Sequence, residues 1–218
     1  MKIRSHYPGL FLALTLLLGA CDKDSDKAPK FKLTEEQKQW SRPYQDNVVW
    51  KFDANLGYQR SYRTGAFGTQ DLGINDGNSS GPRYFREVQS ALLLRTDSAY
   101  QAGSSPVYKF NMNFQLGAEV EASKRLYNER FEGLLLWHNA SVRLPLAQLL
   151  NNEALPTGWT LHPTYTVAGV TYTNVLEYVP TSWVAQPAAA YDAVQIFYTR
   201  EVGVLRFKER GGTVWTRY

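Results

Sequence analysis

Cysteine is almost missing: Cys21 is the single one among 218 residues. One thiol cannot close an intrachain disulfide, so any folded domain must be held together by its core. Histidine is nearly as scarce, and beyond the first twenty residues only His138 and His162 occur. With so few candidate ligands a zinc site has no spacing rule to rest on, and no H-E-x-x-H is found. S-x-x-K is absent, and Gly77-Asn78-Ser79-Ser80-Gly81 matches G-x-S-x-G only as a string, inside a turn-rich stretch without the strand-to-helix context of a nucleophile elbow, so no serine-nucleophile signature is supported. No P-loop and no G-x-G-x-x-G occurs, which leaves nucleotide binding unsupported. No block of Lys and Arg marks a nucleic-acid face. On these grounds no catalytic residue, cofactor or metal is assigned, and nucleic acid is excluded as a partner.

Long apolar runs are missing too. The longest, Leu10 to Leu18, is interrupted by Thr15 and is shorter than the roughly 20 residues that cross a bilayer. It is preceded by Lys2 and Arg4 and followed by the small residues Gly19 and Ala20 and then Cys21. That order is the order of a secretory signal. The stretch Leu18-Gly19-Ala20-Cys21 resembles the bacterial lipobox. The resemblance implies a signal peptide over residues 1–20, with Cys21 acylated (palmitate among its chains) and becoming the mature N-terminus. Each buried methylene contributes about 0.8 kcal/mol and stable anchoring takes two chains, so such a protein is lipid-anchored to a membrane without spanning it.

Residues 21–33 read as the lipidated end and a flexible tether, because Asp22 to Lys32 is short, charged and without apolar period. Asp22, Asp24 and Asp26 lack the glycine and distal glutamate of a calcium loop. An acidic run after the lipidated cysteine resembles the surface-export signal of Bacteroidota lipoproteins, whereas Asp directly after it resembles the inner-membrane retention signal of enterobacteria. The implied address is the bacterial cell envelope, with the outer membrane favoured and its face left open. Removal of the signal leaves 198 residues, and the net charge of +4 falls to +2 because Lys2 and Arg4 leave with it.

Residues 34–218 read as one β-rich domain. Thr34 to Gln37 has the capping-box pattern and predicts a short helix to about Trp40, ended by Arg42-Pro43. Strands are expected over Val48 to Phe52 and Gly57 to Arg63, then an irregular glycine-rich stretch over 64–83 with a turn at Asn75 to Asn78. Val107 to Leu116 alternates apolar and polar residues with period two, as a sheet with one buried face requires. Glu87 to Arg95 and Glu119 to Phe131 are read as strands from their context, and Pro145 to Leu150 as a short helix. Five further strands follow: Trp159 to Val167, Val170 to Val179, Ala193 to Thr199, Val202 to Lys208 and Thr213 to Arg217. Ala168-Gly169 and Gly211-Gly212 fall where hairpins need turns. The expected fold is a mainly β, antiparallel sheet curved into a barrel, half-barrel or sandwich, with one or two short helices.

The stretch Tyr172-Thr173-Asn174-Val175 and the hairpin Phe197 to Phe207, with Tyr198, Val202 and Gly203, resemble the C-terminal part of uncharacterised Bacteroidota envelope lipoproteins. Arg206 stands where those chains usually have Lys, and the resemblance brings no activity with it. Tyr and Trp are abundant, which suits sheet packing and also ligand platforms. The expected function is a non-catalytic envelope lipoprotein whose β-domain binds a lipid, glycan, peptide or envelope protein. The alternative is an envelope hydrolase acting on glycans through a carboxylate pair, with Glu119, Glu121, Glu129, Glu132 and Glu177 as the available acids.

Overall fold

The computed structural model describes residues 28–77, 81–97, 112–127, 129–180 and 189–218. Cys21, the expected signal, most of the expected tether, Asn78 and the start of the strand expected from Val107 lie outside the described residues. The fold is mostly β, an antiparallel sheet curled into a half-barrel with two short α-helices.

In chain order the strands are β1 (Lys30–Phe31), β2 (Val49–Ala54), β3 (Gln59–Ile74), β4 (Tyr84–Arg95), β5 (Met112–Gly117), β6 (Glu132–Trp137), β7 (Ala140–Leu144), β8 (Trp159–Val167), β9 (Val170–Tyr178), β10 (Ala193–Thr199), β11 (Gly203–Glu209) and β12 (Val214–Arg217). Helices α1 (Glu35–Lys38) and α2 (Leu146–Leu150) precede β2 and β8. The spatial order β7-β6-β5-β4-β3-β2-β12-β11-β10-β9-β8 joins two antiparallel meanders where β12 pairs with β2. Lys30–Phe31, at the end of the stretch read as tether, adds a short parallel pairing to β4.

Alternation decides which face is buried. Trp50 and Phe52 of β2, Phe114 and Leu116 of β5, Leu135 and Trp137 of β6 and Phe207 of β11 all point to the concave side and are buried. Trp137 sits at the centre of this core, with ring centroids 5.0 Å from Tyr62, 5.4 Å from Phe207 and 5.7 Å from Trp50.

The N-terminal segment fills the concave side. The Thr34 capping box forms, with the Thr34 amide donating to Gln37 Oε1 at 2.9 Å and the Gln37 amide to Thr34 Oγ1 at 3.2 Å. The helical path does not stop at Arg42-Pro43 as expected. It runs on as a 3₁₀ turn over Gln39–Tyr44 that contains Pro43. Packing holds it there: Tyr44 stacks on Phe114 at 4.0 Å, Trp40 stacks on Tyr198 at 6.2 Å, and Trp50 Nε1 donates to the Pro43 carbonyl.

Two expectations are corrected. The stretch 64–83 is not irregular throughout, because β3 runs unbroken to Ile74, paired with β4 and kinked by one bulge between Thr64 and Ala66. Gly65 suits that bulge, since a Cβ there would meet the Leu94 side chain at 2.6 Å. Residues 119–127 and 129–131 form turns rather than a strand. They pack over β4 because Arg86 donates to the carbonyls of Ala118 and Arg130 while the Tyr84 hydroxyl donates to Glu129.

Candidate functional site

The β8–β9 hairpin walls an open groove with converging polar groups. Ala168 and Gly169 both have positive φ, 49° and 77°, as a two-residue primed turn demands. Pairing between β8 and β9 skips from His162↔Val175 to Thr164↔Thr173, with Pro163 on one side and Asn174 at φ 52° on the other. Proline supplies no ladder donor and Asn tolerates the left-handed region, so the hairpin bends at that point. Beyond it β9 is free of β10, with which it pairs only over Leu176 to Tyr178.

The bent hairpin is tied to the outer face of the sheet by a second, smaller apolar cluster around Val175, Phe197 and Leu205. Tyr165 stacks on Phe197 at 4.7 Å and 22°. Arg206 Nη1 donates to the Tyr165 hydroxyl at 2.6 Å while the guanidinium carbon lies 5.7 Å from the Phe197 ring centroid. Between the hairpin tip at Thr166 to Ala168 and strands β12 and β2 a groove of about 620 Å³ remains open. That volume lies within the roughly 300–1,000 Å³ typical of small-ligand sites.

Strand register sets the groove floor. Phe197 is opposite Arg206, Arg206 opposite Thr216, and Thr216 opposite Asp53, so these four residues form one cross-strand row. Arg206 and Asp53 are two strand spacings apart, roughly 10 Å, which is too far for an ion pair across Thr216. The floor therefore offers a cation, a hydroxyl and a carboxylate in a line. The exposed ring of Tyr218 also lines the groove, whereas Arg217, opposite Phe52, turns its guanidinium to the concave side over the Trp50 ring at 4.7 Å. Burial holds the Arg217 guanidinium below its ordinary value, at about 10.

A second polar constellation is buried on the concave side. Arg60 is paired with Glu209 and lies over the Trp215 ring at 3.9 Å. Arg95 makes a two-pronged bond to Asp97. His138 Nε2 is 2.7 Å from the Tyr62 hydroxyl. Burial, then Arg60 and Arg95, push the His138 pKa well below its ordinary value, so the ring is neutral at neutral pH. Glu209 lies 3.8 Å from His138 Nδ1 but is already engaged by Arg60, and does not reverse that shift. Each acid here faces its own arginine, which fits a self-compensated structural network better than an acid/base pair.

The residues singled out from sequence are dispersed. His138 sits in the β6–β7 turn at φ 43°, and Glu132, at the other end of β6, binds Arg143 instead. His162 is bound to Glu177, which also accepts from Gln195. Glu119 pairs with Arg125, Glu129 accepts from Tyr84 and the Tyr127 amide, and the Glu121 carbonyl caps a turn. Arg206, Thr216 and Asp53 were not anticipated as a group, because only the register of three strands brings them side by side. Among the described residues no three His, Cys, Asp or Glu side chains gather as a metal site. Nor is any helix among them long and apolar enough to cross a membrane. The chain matches no family model, no curated protein and no solved structure.

Proposed function

We propose that this chain is an envelope lipoprotein, anchored through acylated Cys21, whose half-barrel is a non-catalytic binding module for a glycan. The observation that carries this reading is the groove under the β8–β9 hairpin, where an open cavity meets a line of Arg206, Thr216 and Asp53. Support for the outer face over the inner one comes from packing. Tyr44, Trp50 and Phe114 fill the concave side with rings that expose no surface, leaving their share of it unsuited to an acyl chain. Hydroxyl and amide groups with an exposed aromatic ring are the usual complement of a sugar, whose faces are apolar and whose rim is polar. The acyl chains at Cys21 and the charged tether would hold this surface clear of an outer membrane.

Thr216→Trp tests the seat, because the indole fills the middle of the groove floor from a position whose side chain faces away from the core. The full chain, displayed on vesicles, is incubated with the soluble polysaccharide fraction of a bacterial envelope. Wild type should retain polysaccharide and Thr216→Trp should lose it, while Ser141→Trp, at an exposed position of β7, behaves as wild type. Equal retention by wild type and Thr216→Trp, or none by wild type, overturns the reading.

A further inference from the structure

Resting on the reading of the groove as a glycan seat, we infer that its ligand is an acidic saccharide, with a sugar carboxylate against Arg206 and sugar hydroxyls against Thr216 and Asp53.

The starting point is an imbalance of partners. Arg60, Arg95, Arg125, Arg130 and Arg143 each have a carboxylate partner. The groove arginine Arg206 has none among the described residues: its Nη1 is held by the Tyr165 hydroxyl. The Arg206 Nε is buried without a hydrogen-bond partner. A guanidinium stripped of part of its water and given no counter-charge is costly, and an incoming anion relieves that cost. Its position is also fixed in advance, between the Tyr165 hydroxyl and the Phe197 ring. A pre-placed fork of donors suits a planar carboxylate.

The rest of the groove separates a saccharide from other anions. Asp53, roughly 10 Å along the floor, repels a second negative charge at that end and accepts hydrogen bonds from hydroxyls. Asn55 Oδ1 accepts from the Val214 amide at 3.0 Å, which leaves its side-chain NH₂ as a donor. A peptide is the weaker fit. Strands β11, β12 and β2 are paired on both sides, so the floor has no free backbone edge to extend. The apolar lining includes small residues such as Ala168 and Val214, which give little area to an anchoring side chain or an acyl chain.

The test uses the same polysaccharide fraction, in its native form and after chemical reduction of its carboxylates to alcohols. Wild type should retain the native form about tenfold or more better than the reduced one, as expected for one charge-assisted pair. Arg206→Met should abolish that discrimination, and Arg206→Lys, which keeps the charge without the fork, should recover part of it. Equal retention of native and reduced polysaccharide by wild type overturns the acidic ligand. It leaves the groove reading standing if Thr216→Trp still abolishes retention. Full displacement by low-millimolar inorganic phosphate would mark a general anion site and overturn the saccharide assignment.

Discussion

Glu209→Gln should lower the stability of the folded chain by about 3 kcal/mol or more, measured by urea denaturation. The carboxylate and its partner Arg60 are both largely buried, with side chains 6 % and 13 % exposed. Removing one charge strands the other in a poor dielectric, whereas removing both leaves nothing to desolvate. The double variant Arg60→Met with Glu209→Leu should therefore recover most of the loss. Arg60 keeps its contact with Trp215 in the single variant, which sets the expectation near the low end of the range for broken buried pairs. A single variant within about 0.5 kcal/mol of wild type, the scatter of surface substitutions, would mean that the pair is solvated.

Acid should destabilise the protein through His138. Its pKa in the fold is depressed, so the unfolded chain takes up a proton that the folded chain refuses. The stabilisation is thus complete above the ordinary histidine value of about 6.5 and is lost as pH falls below it, by about 1.4 kcal/mol per unit. Between pH 7.5 and pH 5 this amounts to at most about 2 kcal/mol. Asn is a suitable replacement because the position has positive φ, where Asn is tolerated. His138→Asn should lose some stability at every pH and show a shallower acid slope than wild type. Identical slopes in the two chains would show that His138 does not titrate on unfolding.

Much of the architecture was legible because one face of most strands is buried. Met112, Phe114 and Leu116 are all buried while Gln115 is exposed, and that contrast announces itself in the sequence. Strands β8 to β12 were placed within about one residue of their ends, helped by the turn at Ala168-Gly169 and by Gly212 at φ 94°. The distal half of β3 was not legible. From Gly65 to Ile74 almost every residue is partly or fully exposed, so no apolar alternation marks it, and its glycines imitate a loop. What makes it a strand is pairing with β4, a partner invisible to local pattern. The turns at 119–127 and 129–131 misled for the opposite reason: Val120 and Phe131 are buried there without belonging to a ladder.

The site was harder to anticipate than the fold. Nothing near Asp53 in the sequence suggests residues 206 and 216, and nothing near Arg60 suggests Glu209, 149 positions away. Both constellations arise only when the two meanders meet at β2 and β12. Cys21 is the reverse case, since its proposed role rests on a local sequence pattern.

The most direct measurement is accordingly made at Cys21. The full chain, residues 1–218, expressed in a bacterium fed labelled palmitate, is separated into detergent and aqueous phases. Wild type should carry the label and enter the detergent phase, and Cys21→Ser should carry none and stay aqueous. An unlabelled wild type, or a Cys21→Ser chain labelled to the same extent, would contradict the lipoprotein.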